Sequence, residues 1–180
     1  MENHISPARS MAAPALLAAL LCVAGPVTLP AGPLPLSLAT LVIYLASGLL
    51  GPKGGLLTAG VYLAIGAVGL PVFSGFAGGL GQLFGPTGGY LLGYLPLAFL
   101  SGLGKGRGRV GQLLAMLAGT ALLYLMGSFW YALRFGTTLW GSVVVCVLPF
   151  LPGDGVKIAL ALAFTPALKR ALERAGRMED

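Results

Sequence analysis

Apolar residues in this chain come in long runs rather than alternating stripes. Met11 to Ala24, Leu36 to Leu50, Leu56 to Leu70, Thr87 to Leu103, Val110 to Trp130 and Asp154 to Leu172 are each dominated by small and aliphatic residues. Stretches such as Leu113-Leu114-Ala115-Met116-Leu117-Ala118 lack the period-two pattern of a barrel strand. Helices are the other structure that satisfies its own backbone in lipid. A span needs about 20 residues, so the pattern predicts six transmembrane helices. Gly141 to Phe150 is apolar but too short to cross. It predicts a partial or re-entrant helix before the last span.

The linkers carry their own signals. Pro26, Pro30, Pro33 and Pro35 forbid a regular helix after the first run. Gly51-Pro52-Lys53-Gly54-Gly55 predicts a compact turn, and Gly85-Pro86-Thr87-Gly88-Gly89 repeats its GPxGG pattern before another helix. Pro71 to Pro86 is too apolar for a loop loose in water and too rich in Gly and Pro for a straight helix. Irregular backbone at membrane depth survives where protein or a cavity satisfies it. This segment is therefore expected to fold over the bundle and line a pocket. Tyr131 to Trp140 is expected to be a linker, with Trp130, Tyr131 and Trp140 as interface anchors.

Composition strengthens the membrane reading. Of 180 residues, 57% are hydrophobic and 9% charged, whereas a soluble domain is about a quarter charged. The fold class expected is an all-α, multi-pass integral membrane protein. One transmembrane domain is expected over residues 1–180, with cytoplasmic tails at 1–10 and 173–180. The first run follows Arg9 as a signal peptide's apolar region would follow its basic one. Five further spans make it a first transmembrane helix instead. Its small residues Ala8, Ala12, Ala15 and Ala19 pair at i,i+4, and small helix faces let another membrane helix approach closely.

The net charge of +6 would fit nucleic acid, but the placement of the bases argues for membrane topology. With the N-terminus in the cytoplasm and six spans, Arg9, Lys53, Lys105, Arg107, Arg109, Lys169, Arg170, Arg174 and Arg177 fall inside and Arg134 alone outside. That is the positive-inside pattern. Both termini are then cytoplasmic, and the basic clusters face anionic lipid headgroups. No nucleic acid is expected as a partner. The linker Pro71–Pro86 and Asp154 fall on one, outer side, so an outward-facing pocket follows.

Asp154 and Lys157 lie in Leu148 to Ile158, LPFLPGDGVKI, where all other residues are apolar, Gly or Pro. At i,i+3 they share a helix face. One reading makes Asp154 the N-cap of its helix with Lys157 as its partner. The other takes ionisable residues at membrane depth as a functional site. Asp154 would accept N–H bonds from a solute and Lys157 would meet a solute carboxylate, in a pocket lined by Phe73, Phe76, Tyr90 and Leu side chains. No catalytic set is visible: His4 is the sole histidine, no phosphate-binding G-x-x-x-x-G-K-[ST] occurs, and the isolated Cys22 and Cys146 have no C-x-x-C spacing. Neither a catalytic residue, a metal ligand nor a bound cofactor is expected.

The stretches Pro33-Leu34-Pro35-Leu36-Ser37-Leu38, GPKGG at 51–55, YLAIGAVGLPVF at 62–73, GPTGGYLLG at 85–93 and FLPGD with Lys157 span much of the chain. In these it resembles the BioY family, the biotin-capture S components of energy-coupling factor (ECF) transporters. The resemblance implies six membrane helices and a biotin site facing outward that uses Asp154 and Lys157, closed over by Pro71–Pro86. Phe73, Ser74, Gln82, Thr87 and Tyr90 are the further binding residues expected. The first helix, through Ala8, Ala12, Ala15 and Ala19, would meet a transmembrane coupling subunit. Two cytoplasmic ATPase subunits would use ATP, which this chain does not. The family's V-P-I-T-L-Q run is here Leu34 to Ala39: Ser37 replaces Thr, and Ala39 replaces the Gln, whose bracing role would pass to Gln82 or Ser74. Two alternatives stand beside this reading. One is an intramembrane enzyme acting on a lipid or isoprenoid through Asp154; the other is a transporter of another small carboxylate vitamin.

Overall fold

A computed structural model describes residues 7–30 and 35–177. Its elements run α1 (Pro7–Ala24), β1 (Thr28–Pro30), β2 (Pro35–Ser37), α2 (Ala39–Ala67), α3 (Leu80–Leu83), α4 (Gly88–Gly102), α5 (Gly108–Phe135), α6 (Leu139–Cys146) and α7 (Leu151–Arg177). The proline-rich linker after α1 forms a small antiparallel ribbon, Thr28 opposite Ser37. Its N–H-poor chain has few donors to place, and Ser37 ties the ribbon to α1 by donating to the Gly25 carbonyl at 2.8 Å. Pro33 lies outside the described residues, as do the side chain of Ala8, residues 1–6 of the expected N-terminal tail and residues 178–180 of the expected C-terminal one. The helices extend beyond the run boundaries: α1 begins at Pro7 and α7 ends at Arg177.

Among the described residues, three helical segments are long and apolar enough to cross a membrane: Ala39–Ala67, Gly108–Phe135 and Leu151–Ala171. The first is not one rod. Gly51 has φ 83° and ψ −172°, a conformation essentially reserved for glycine. Along a straight helix Ser47 and Gly55 would stand about 12 Å apart. Here a methyl group on Gly55 would sit 3.0 Å from Ser47 Cα. The chain therefore doubles back at Gly51, and residues 39–50 and 52–67 form an antiparallel hairpin. The turn expected over five residues is one residue wide, because Pro52 to Gly55 already belong to the returning helix, where proline at the start lacks only an N–H with no partner. Gly51→Ala is expected to destabilise the fold by about 1–3 kcal/mol, read as a lowered unfolding temperature in detergent with ligand binding retained by the folded fraction.

Two other boundaries differ from the sequence reading. The helix α5 continues through Tyr131 and Arg134 to Phe135, so most of the expected 131–140 linker is helical. Trp130 is more than an interface anchor: its indole N–H donates to the Gly85 carbonyl at 2.8 Å and so fixes the start of α4. The break expected at Pro149–Gly153 is partly helix as well, since α7 opens at Leu151 with Pro152 in its first turn. A short helix does precede the last one, but α6 runs Leu139–Cys146, shifted from the expected 141–150.

The core lies where α2, α4 and α5 meet, filled by Tyr44, Tyr62, Ile43, Leu97, Met116 and Leu123. Its root on the cavity side is Phe73, 2% exposed, which packs on the bare Cα of Gly66 and meets Tyr62 edge-to-face with ring centroids 5.5 Å apart. The Tyr62 hydroxyl donates to the Val72 carbonyl at 3.0 Å. These contacts pin the first part of the 71–86 segment to α2 and leave the rest to arch over the bundle. The outward faces carry many bare large apolar side chains, among them Leu16, Val23, Val110, Leu114, Leu125 and Phe129. Apolar surface on that scale belongs against lipid.

Candidate functional site

On α7, Asp154, Lys157, Ile158, Ala161 and Thr165 are all buried and follow one helical stripe. That stripe faces the start of α2. Asp154 and Lys157 are each 5% exposed, and Lys157 Nζ stands 2.9 Å from Asp154 Oδ1. Asp154 does not cap its helix. Its own N–H already donates to the Phe150 carbonyl at 2.8 Å, and its carboxylate points inward. The Thr40 hydroxyl donates to Oδ1 at 3.2 Å, and the Tyr124 hydroxyl to Oδ2 at 2.7 Å.

The accounting for both ions is nearly complete. An ammonium has three donors. Those of Lys157 go to the Ser37 carbonyl at 2.6 Å, Thr40 Oγ1 at 3.0 Å and Asp154 Oδ1. A carboxylate offers about four lone-pair sites. Three are taken by Lys157, Thr40 and Tyr124, which leaves one, on Oδ2. The Ser37 side chain meanwhile accepts the Ala39 N–H at 3.0 Å and shapes the entry to α2. Beneath this group the hydroxyls of Tyr44 and Thr120 meet at 2.6 Å, and the Thr120 hydroxyl donates to the Met116 carbonyl at 2.8 Å.

The pair opens onto a cavity of about 340 Å³, within the usual range for small-molecule sites. Its floor and walls are Leu91 and Tyr94 from α4, Leu123 and Tyr124 from α5, Phe150 before α7, and Ser37 and Thr40 before and on α2. The 71–86 segment supplies Phe73, Ser74, Ala77, Gln82 and Pro86, and Thr87 and Tyr90 complete the rim. Tyr90 is held by donating to the Cys146 carbonyl at 3.2 Å, which couples the short α6 to the wall. Asp154, Lys157, Phe73, Ser74, Gln82, Thr87 and Tyr90 thus all line one cavity. Phe76 does not: it is 71% exposed, at φ 60°, and points away. Sequence reading missed Thr40, Tyr94, Tyr124 and Phe150 as wall residues. Their helical spacing was visible, since Thr40 precedes Tyr44 by four and Tyr90 precedes Tyr94 by four, but not which helix each stripe would face. Among the described residues no group of His, Cys, Asp or Glu is placed to hold a metal ion.

The far side of α1 differs in character. Ala12, Ala15 and Ala19 are exposed beside Leu16, Leu20 and Val23, while Ala18 and Leu21 are buried against the bundle. Ala12, Ala15 and Ala19 of the expected small face are therefore left exposed by the rest of the chain.

A sequence profile of the BioY family matches residues 1–174. The chain belongs to the BioY family. A relative from Pyrococcus horikoshii described as a probable biotin transporter BioY is 38% identical over 90% of this chain and 97% of its own. The biotin transporter BioY of Thermotoga maritima is 35% identical over 86% of this chain and 92% of its own. Among solved structures, the S component for biotin from an ECF-type ABC transporter superposes with a TM-score of 0.82 at 28% identity, covering 94% of this chain and 95% of that one. The superposition makes the arrangement above a BioY-family fold, and this chain is membrane-embedded.

Proposed function

We propose that this BioY-family chain is the membrane subunit that captures biotin and carries it into the cell; it is a transporter component, not an enzyme. The observation that carries the reading is the single free acceptor on a buried, charge-paired Asp154 at the base of an aromatic cavity of about 340 Å³. Biotin has ureido N–H donors, an apolar bicyclic body and a chain ending in a carboxylate. One ureido N–H completes Asp154 Oδ2. The bicycle packs among Tyr94, Leu91, Leu123 and Phe150. The carboxylate is met at the rim by the neutral donors Ser74, Gln82 and Thr87, under the N-terminus of α4, where the helix dipole favours an anion. This revises the expectation that Lys157 meets the carboxylate: its three N–H groups are already engaged. Lys157 instead holds Asp154 charged and aimed. Ala39, the position where the family's Gln was expected, is fully buried beside this site, and Gln82 and Ser74 at the rim supply the polar contacts instead.

Six spans accommodate the chain if the hairpin about Gly51 counts as two, with α1, α4, α5 and α7 as the others. The charge distribution then supports cytoplasmic termini and an outward cavity in a bacterial or archaeal cell membrane. The single substrate-capture domain would work with an ECF module: a coupling subunit against Ala8, Ala12, Ala15 and Ala19, and two ATPases that hydrolyse ATP.

Equilibrium binding of radiolabelled biotin to the purified chain in detergent tests the reading. Saturable binding displaced by unlabelled biotin, and not by another carboxylate vitamin such as pantothenate, is the expected result. A folded protein that binds pantothenate in preference would establish the other vitamin class. Tyr124→Phe should weaken biotin binding by about tenfold, because a hydrogen bond to a charged group contributes about 1.5–3 kcal/mol. Unchanged affinity in this variant would remove Tyr124 from the site.

A further inference from the structure

At the end of the bundle opposite the cavity, α4 and α5 are joined by a five-residue turn, and a second concavity of about 290 Å³ opens between them on the lipid-facing side. Leu100 of α4 and Leu103 just after it form one wall and Gly111, Leu114 and Ala118 of α5 the other, with Arg107 at the mouth. Arg107, Gly111, Leu114 and Ala118 follow i, i+4, i+7 and i+11, a single stripe along α5. That stripe is about 17 Å long, close to half of a hydrocarbon core of about 30 Å. It has the length of one leaflet.

The turn at the mouth is strongly basic: Arg107 lines the groove itself, and Lys105 and Arg109 stand on the same turn, with the Lys105 stem lying against Gly51 of α2. Lys105, Arg107 and Arg109 are all exposed, and the described residues give none of them a carboxylate partner. No acid occurs between Arg9 and Asp154 in the sequence, so nothing nearby on α4 or α5 offsets these charges. Arg107 is also the N-cap residue of the 28-residue α5, and no side chain caps that end. The free N–H groups and the positive end of the helix dipole face the same mouth as the arginines.

We propose that this groove is a binding site for one anionic phospholipid. An acyl chain lies along the stripe from Gly111 to Ala118, and the headgroup phosphate is received by Arg107, flanked by Lys105 and Arg109. An apolar groove on a membrane-facing surface is filled by lipid tails by default; Arg107 at its mouth, with Lys105 and Arg109 on the same turn, selects the headgroup. A partner helix in the same groove would need acidic residues to match them. On the orientation proposed above this is the cytoplasmic leaflet, although the site depends only on the chain's being in a membrane.

The test is native mass spectrometry of the full chain released from detergent, with phosphatidylglycerol and phosphatidylcholine of identical acyl chains added in turn. Wild type is expected to retain one phosphatidylglycerol in preference to phosphatidylcholine. Arg107→Gln should lower that retention about fivefold, the effect of about 1 kcal/mol per base near a charged headgroup, and the triple change K105Q/R107Q/R109Q should abolish the preference. Ala118→Leu, which fills the groove from an exposed position, should lose both lipids. Biotin binding by every variant, measured separately, reports folding and is expected to be unchanged. Equal retention of the two lipids by wild type, or full retention by Ala118→Leu, would overturn the proposal. So would a gain in thermal stability with inorganic phosphate alone that matches the gain with the lipid, because the chain-binding groove would then be idle. A copurifying protein that Ala118→Leu releases would assign the groove to a helix and overturn it equally.

Discussion

Asp154→Asn should remove biotin binding almost entirely. The amide keeps one acceptor oxygen but turns the other position into a donor. Three donors converge on this carboxylate, from Lys157, Thr40 and Tyr124, at 2.9, 3.2 and 2.7 Å, and the ligand's N–H would be the fourth. An asparagine must therefore face at least one donor with its own NH₂. Truncating one member of a buried, hydrogen-bonded charge pair typically costs about 2–5 kcal/mol of binding, and each 1.4 kcal/mol is about tenfold. The expected loss is roughly 30-fold to several thousand-fold. Stability should fall too, by about 3–5 kcal/mol, because the Lys157 ammonium stays buried without its counter-charge. The double change D154N/K157M removes both ions and should recover much of the stability while leaving binding absent. A folded double variant that still captures biotin at near wild-type affinity would show that Asp154 is not the anchor.

Lys157→Met is expected to weaken biotin and biotin amide by the same factor, on the order of 10- to 100-fold. The ammonium is saturated by Ser37, Thr40 and Asp154, so it has no N–H to offer a ligand carboxylate. Its loss acts through the carboxylate it orients and through the link it makes between α7 and the ribbon before α2. Equilibrium competition with the two ligands measures this directly. If biotin loses affinity and the amide does not, the ammonium does contact the ligand carboxylate, and the rim residues Ser74, Gln82 and Thr87 lose the role given them here. The paired comparison is insensitive to partial unfolding, which lowers the active fraction equally for both ligands.

The two variants bear on the part of the site that was hardest to read. Spacing alone put Asp154 and Lys157 on one helix face, and their apolar surroundings marked them as a candidate site. It left open whether Asp154 capped its helix. The cap reading assumed that the helix begins at Asp154. It begins three residues earlier because proline is acceptable in a first helical turn, and this turns the carboxylate from the helix end toward Thr40 and Tyr124. The partners that saturate Lys157 come from residues 37 and 40, more than 110 positions away in the chain. No local pattern announces such a contact, since it depends on which face of α7 meets the start of α2.

Other features divide along the same physical line. The membrane class, the helical spans, the broken segment before the last helix and the loop that roofs a pocket all follow from local properties: run length, proline and glycine placement, and the near absence of charge. The family resemblance rested on contiguous motifs and was equally local. Phe76 was assigned to the pocket with Phe73, yet Phe76, at positive φ, stands exposed while Phe73 is buried against the core. Trp130 reads as an interface anchor in the sequence, and in the fold its indole also donates to the Gly85 carbonyl. The sequence by itself determined that this chain lives in lipid, crosses it as helices and carries one buried ion pair, because burial of backbone and charge in hydrocarbon permits few solutions. Only the tertiary structure decided which hydroxyls complete that pair and which acceptor remains for a ligand, because these depend on helix rotations set by packing between segments distant in the chain.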